Sequence, residues 1–200
     1  MPVPEVQKER TKRADAVRNK DAIIDAALTR LSDNPGASMA EIARVAGVGR
    51  VTLYGHFSSR QELIEAALVR TIMRSEAELA TVDLSGDPVE ALQRLVDHSW
   101  RIVHDFHVLL GVAESALSND QIRAHHGKPL ARVQDLIERG QQEHRMRSDV
   151  TAEWLTACMM AILHEAAAQV RAGRMTDAEA AHAASSAVIA IVMPSSTAGQ

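Results

Sequence analysis

Aromatic side chains are nearly missing from this chain: its 200 residues include two Trp, one Tyr and two Phe, 2% of the total. Without rings or clustered β-branched residues no alternating strand pattern develops, whereas Ala-rich stretches favour helix. The expected fold class is therefore all-α. Cys158 is the single cysteine, which excludes an intramolecular disulfide; inside an apolar run it reads as a small core residue in a reducing compartment. Long apolar runs are absent too. The longest, 157–163 and 187–193, fall far short of the roughly 20 residues that cross a bilayer, and MPVPEVQKERTKR has no apolar stretch of a secretory signal. No membrane association and a cytoplasmic location are expected. Nor is there a Gly-rich phosphate loop, a nucleophile elbow or an H-E-x-x-H pair. The scattered Glu and His define no acid–base couple, so no catalytic residue, cofactor or metal site is assigned and the protein is not expected to be an enzyme.

What is present is unevenly charged. The whole chain carries net −4, but residues 1–60 hold ten Lys and Arg against seven Asp and Glu (net +3), which leaves twelve against nineteen (net −7) in residues 61–200. A basic head on an acidic body suits a molecule of which only one end faces a phosphate backbone.

The chain is organised around SMAEIARVAGVGRVTLYGHFSSR, Ser38 to Arg60. Ser38 followed by Glu41 is a capping box that starts a helix. Ile42, Ala43 and Ala46 recur at helical spacing, and Gly47 supplies the left-handed residue that stops it. A second short helix follows, with Leu53 and Phe57 inward and Arg50, Thr52, Tyr54 and His56 outward. That outward set holds a fork of donors, two hydroxyls and an imidazole, and no carboxylate. Arg can read guanine edges, Thr a base or a thymine methyl, and Tyr and His can hold phosphate oxygens. On pattern alone a helical hairpin with a polar surface is an equal alternative.

AEIARVAGVGRVTLYGHFSSRQEL resembles the DNA-binding motif of the TetR family of transcriptional regulators, whose pattern is close to T-x-x-x-I-A-x-x-A-G-V-S-x-G-T-L-Y-x-H-F-x-S-K-E-E-L. The dense match covers about 25 residues and, with the preceding helix, about 45. Two departures stand out: Gly49 replaces a capping Ser or Thr, and Val51 replaces Gly. The resemblance implies a three-helix helix-turn-helix head joined by a long helix to a helical ligand-binding and dimerisation body. With the outward residues it gives a DNA-binding set of Ser38, Arg50, Thr52, Tyr54, His56 and Arg60. Arg60 takes the family's Lys position, where a helix N-terminus and a cation can both meet a phosphate.

Residues 1–14, with Lys8, Arg10, Lys12 and Arg13 beside Pro2 and Pro4, read as a mobile basic arm. Helix 1 is expected over about 16–31, ending at Asp33-Asn34-Pro35-Gly36. Ser59 with Glu62 caps a long helix from about 60 to 81, and Asp83 to Pro88 mark a boundary. Further helices are expected at about 88–104, 106–117, 120–143 with a break near Gly127-Lys128-Pro129, 150–172 and 177–192. The domains are accordingly 1–60, arm and DNA-binding head, and 61–200, ligand-binding and dimerisation body.

In the body, Leu155, Cys158, Met159, Ile162 and Ala166 form one stripe and Ala180, Ala184, Ala187, Val188 and Ile191 another. Small residues allow close helix approach, within one subunit or across a two-fold dimer; the family resemblance favours the dimer. Trp100, Phe106 and Trp154, with Met159, can line an apolar ligand pocket, although large side chains at helical spacing also make plain core. His104, His107 and His164 could bring three imidazoles to zinc. Lacking a Cys pair or acidic partner at motif spacing, they are assigned instead to the surface or to the polar part of that pocket. The expected partners are a double-stranded DNA operator, an unidentified small molecule and a second copy of the chain. The reading is a repressor that binds a palindromic operator and is released by the ligand. The alternative is a helical small-molecule-binding or metal-dependent enzyme that keeps the helix-turn-helix only as scaffold.

Overall fold

The computed structural model of the protein describes residues 5–125 and 127–194. Among these residues it is helical throughout with no strand: α1 (Glu5–Asp33), α2 (Met39–Val45), α3 (Arg50–His56), α4 (Arg60–Leu79), α5 (Pro88–Asp105), α6 (His107–Ala116), α7 (Asn119–His125), α8 (Gly127–Gln142), α9 (Ala152–Arg171) and α10 (Asp177–Val192). They fall into two compact units: the chain up to Arg70 with Val108–Ser118, and Thr71–His107 with the chain from Asn119 on. Helix α4 begins in the first unit and ends in the second.

In the first unit α1 packs on α2 and α3. The buried face is Ile23, Ile24, Ala27 and Leu31 of α1, Ile42 and Ala43 of α2, Leu53 of α3, and Phe57, with Leu63, Ile64 and Ala67 of α4. Each large aliphatic of this set contributes roughly 1.5–3 kcal/mol by leaving water. Charge adds a tie between helices: Arg70 reaches Asp25 of α1 at 3.1 Å and also bonds Asp21.

The expected mobile arm needs correcting. Helix α1 starts at Glu5, so of residues 1–14 only 1–4 lie outside the described residues. After Pro4 the segment is mostly Glu, Gln, Lys, Arg and Ala, all good helix formers. A Glu9–Arg13 pair one turn apart supports it.

In the second unit α5, α8, α9 and α10 pack on one another, around Leu92, Leu95, Val96, Ile137, Met159, Leu163, Ala184 and Val188. Pro88 opens α5, and Asp87 caps it by accepting from the N–H groups of Val89 (2.8 Å) and Glu90 (3.2 Å). The expected break near Gly127-Lys128-Pro129 adjoins residue 126, which lies outside the described residues; α7 is described as far as His125 and α8 from Gly127. Helices α9 and α10 settle the role of the two stripes in part. Leu155, Met159 and Ala166 of one and Ala180, Ala184 and Val188 of the other are buried within the subunit itself. The side of α9 left open instead carries Trp154 and Ala161, and that of α10 carries Ala183, Ser186 and Ala190. Among the described residues no helix is long and apolar enough to cross a membrane.

Candidate nucleic-acid interface and body sites

The helix-turn-helix is built from its caps outward. Ser38 Oγ accepts from the Glu41 N–H (3.3 Å), and Glu41 Oε2 accepts from the Ser38 N–H (2.7 Å) and hydroxyl (2.8 Å). The Ser38 N–H, then its hydroxyl, hold the Glu41 carboxyl below its ordinary range. At the far end of α2 the N–H of Val48 bonds Ala43 O (3.0 Å) and that of Gly47 bonds Arg44 O (3.3 Å). Gly47 sits at φ +69°. This is a Schellman closure, and it turns the chain sharply into α3.

Gly49 opens α3 without a side-chain cap, as the sequence departure implied. Leu53 anchors the helix from below, fully buried. Phe57, also buried, ends it, with the Lys20 ammonium 5.9 Å from its ring centroid. Arg50 and Tyr54 are exposed, Thr52 and His56 half-buried, and Ser38 is exposed at the start of α2. No acidic residue lies on α3. The head therefore presents a carboxylate-free polar surface.

Arg60 is placed differently from the other five. Its guanidinium bonds the backbone oxygens of Pro35 (2.6 Å) and Ala37, which fastens the start of α4 to the turn between α1 and α2. The cap of α4 is likewise shared between two serines. The Glu62 N–H donates to Ser59 Oγ (3.1 Å), while the Glu62 carboxylate accepts from the N–H of Ser58 (2.7 Å) instead of that of Ser59. The Ser58 hydroxyl and N–H keep the Glu62 pKa low.

Of the seven pocket candidates in the body, three come together. Trp100 Nε1 donates to Asp177 Oδ1 at 3.0 Å, and His104 Nδ1 lies 2.8 Å from the same oxygen but off the direction of a hydrogen bond. His107 stacks on His104 with centroids 5.3 Å apart. Phe106, which caps α5, and His164 are half-buried, and Met159 is buried in α9. Trp154 stands on the outside of α9, 61% exposed.

Two clefts lie elsewhere in the body. One of about 540 Å³ is lined by Glu76 at the end of α4, Leu84, and Ala131, Arg132, Asp135, Leu136 and Arg139 of α8. Arg132 pairs with Glu76 at 2.6 Å, and Arg139 holds the carbonyl of Leu84 at 2.8 Å. A smaller one, about 260 Å³, lies beside Asp87, Glu90, Arg145 and Met193. None of the seven candidates lines either cleft. The available signal was the seven-residue spacing of Arg132 and Arg139, which puts both on one face of α8. Among the described residues no three His, Cys, Asp or Glu side chains converge on a metal position.

An all-helical chain with this amino-terminal motif defines a class of DNA-binding regulators, and comparison with known proteins places the motif in a family. The sequence model of the bacterial regulatory proteins, tetR family, matches residues 23–67. The HTH-type transcriptional repressor LfrR of Mycolicibacterium smegmatis is 37% identical over 81 residues, 40% of this chain and 43% of LfrR, so the match spans less than half of that relative. The HTH-type transcriptional regulator NfxB of Pseudomonas aeruginosa is 28% identical over 180 residues, 83% of this chain and 90% of NfxB. In structure, the fatty acid degradation regulator FadR of Bacillus halodurans shares the fold with a TM-score of 0.70 at 18% identity, over 91% of this chain and 97% of that one. For the LfrR structure the TM-score is 0.64 at 22% identity, over 88% and 97%. Residues 23–67 thus carry the amino-terminal region of the tetR family, and the chain shares the fold of TetR-like regulators. Members of this family are regulators, not enzymes, so the alternative reading as a metal-dependent enzyme falls away.

Proposed function

We propose that the chain is a cytoplasmic homodimeric repressor that binds a palindromic DNA operator through α3 and leaves it when a small molecule binds the body. The observation that carries this reading is the surface of α3, where Arg50, Thr52, Tyr54 and His56 stand outward or half-outward on a helix with no carboxylate. In this reading Arg50 and Thr52 address base edges, and Tyr54 and His56, with Ser38 at the start of α2, address phosphates. Arg60 contributes by holding α4 against the turn between α1 and α2.

Two reading helices related by a two-fold axis must reach major grooves about 34–36 Å apart or a multiple of that. The open sides of α9 and α10, with Trp154, Ala161, Ala183 and Ala190, suit the facing helices of a second copy. Helix α4 belongs to both units, so a body conformation that reorients it changes the distance between the reading helices. Such coupling is typically about 1–3 kcal/mol and reciprocal: operator must weaken ligand binding by the same factor. The name of LfrR as a repressor, and its structure in complex with proflavine, support repression and ligand response.

The test begins by selecting bound sequences from a random DNA pool. Sedimentation of the complex and a thermal-shift panel of compounds follow, since any ligand of the native state raises Tm. A selected site without inverted symmetry, or a monomer on DNA, would refute the dimeric part. A panel hit that raised Tm yet left the complex intact would refute release.

A further inference from the structure

The outermost line of α3 is not formed by the four polar residues. At 3.6 residues per turn, positions 51 and 55 lie about 160° around the helix from buried Leu53. Arg50 and Tyr54 flank them on one side, Thr52 and His56 on the other. Val51 is 87% exposed, the most exposed large apolar side chain among the described residues. Gly55, one turn on, is within the helix and exposed, is not one of the positive-φ glycines, and has nothing within 4 Å of where a Cβ would stand. Neither residue has a reason inside the molecule. A glycine at an exposed helical position disfavours the helix roughly fivefold relative to alanine, and nothing in this chain requires its bareness.

We propose that Val51 and Gly55 form the contact crest of α3: the Val51 isopropyl group packs on the C5-methyl of a thymine in the floor of the major groove, and Gly55 leaves the helix bare so that it can seat that deeply. This rests on the reading of the chain as a DNA-binding regulator. The thymine methyl is the apolar group that the major groove displays, and a β-branched side chain held by the helix in one rotamer meets it with little loss of freedom. Gly55 removes the side chain that would otherwise strike the base edges first. The polar residues on the two flanks then reach outward to neighbouring bases and to the phosphates on either wall.

The experiment uses the full-length protein and a sequence selected from a random DNA pool, with anisotropy as the measure of affinity. Each thymine is replaced in turn by deoxyuridine, which removes only the methyl. Wild type is expected to lose about fourfold at one thymine per half-site, the worth of one methyl-sized apolar contact, and Val51→Ala to lose nothing further at that position. Gly55→Ala is expected to raise Tm by about 2–4 °C while weakening operator binding about tenfold or more. A merely structural glycine would not move stability and affinity in opposite directions. Gly55→Ala binding with wild-type affinity, or Val51→Ala keeping the full deoxyuridine loss, overturns the crest while the regulator reading stands. Failure of the wild type to prefer any sequence overturns both.

Discussion

Arg60, the first residue of α4, reaches back across 25 positions to donate a hydrogen bond of 2.6 Å to the carbonyl oxygen of Pro35. The same guanidinium holds Ala37. A planar fork can serve two carbonyls at once; an ammonium cannot reproduce that geometry. Arg60→Ala and Arg60→Lys are both expected to lower Tm by several degrees, from the loss of charge-assisted bonds worth about 1–3 kcal/mol together once partial exposure is allowed for. The slope of log affinity against log salt should stay as in wild type. If the lysine variant kept wild-type Tm, or alanine flattened the salt slope by about one unit, Arg60 would be a phosphate contact.

The polar residues of α3 should separate by role. Arg50→Ala and Thr52→Ala are expected to relax sequence preference, each by about 1–3 kcal/mol of discrimination at its base. Tyr54→Ala and His56→Ala should weaken all sequences alike. Gel shifts of the selected operator against a scrambled duplex give the answer, and uniform losses across all four variants would sink the division.

Acid should loosen helices in both units through their caps. In Glu41 and Glu62 hydrogen bonds from Ser38 and Ser58 depress the native pKa, and Thr176 does the same for Glu179. A depressed carboxyl holds its proton less well folded than unfolded. The stabilisation is therefore complete above the ordinary value of 4.5 and is lost as pH falls through the lower native values. Thermal melts between pH 7 and pH 3 should show Tm declining below about pH 4.5. Ser38→Ala should lower Tm at pH 7 by about 2–4 °C and make the acid decline shallower; an equally steep decline in that variant would assign it to other groups.

Assembly should depend on the open sides of α9 and α10. Ala190→Glu places a carboxylate on an exposed position of α10 without touching the buried core of Ala184 and Val188. Sedimentation is expected to give a monomer, with operator binding lost although α3 is intact. A variant that remained dimeric would move the two-fold axis elsewhere.

The helices were legible because their punctuation is local. Ser38 with Glu41, Gly47 and the boundary that closes at Pro88 mark ends that the structure places within a residue or two. The start of α1 was missed because the charges of 8–13, read as a solvated arm, equally well stabilise an exposed helix through pairs such as Glu9 with Arg13. Periodicity found the stripes of α9 and α10 but not their counterpart: Leu155 and Val188 turn inward to their own subunit, a fact about packing across many residues that spacing does not encode. The same limit applies to the body sites. Trp100 and His104 meet at Asp177, with His107 stacked on His104, only because α5 and α10 are neighbours, and the charged cleft of Arg132 and Glu76 joins residues 56 positions apart.

The two tryptophans occupy opposite environments: Trp100 is 5% exposed with its indole N–H bonded to Asp177, and Trp154 is 61% exposed. The molecule thus carries a pair of built-in fluorophores, of which Trp100 is expected to emit at shorter wavelength and resist iodide, and Trp154 to emit at longer wavelength and be quenched by it. With Trp154→Phe the remaining emission reports on the α5–α10 junction alone, and with Trp100→Phe it reports on the outer side of α9.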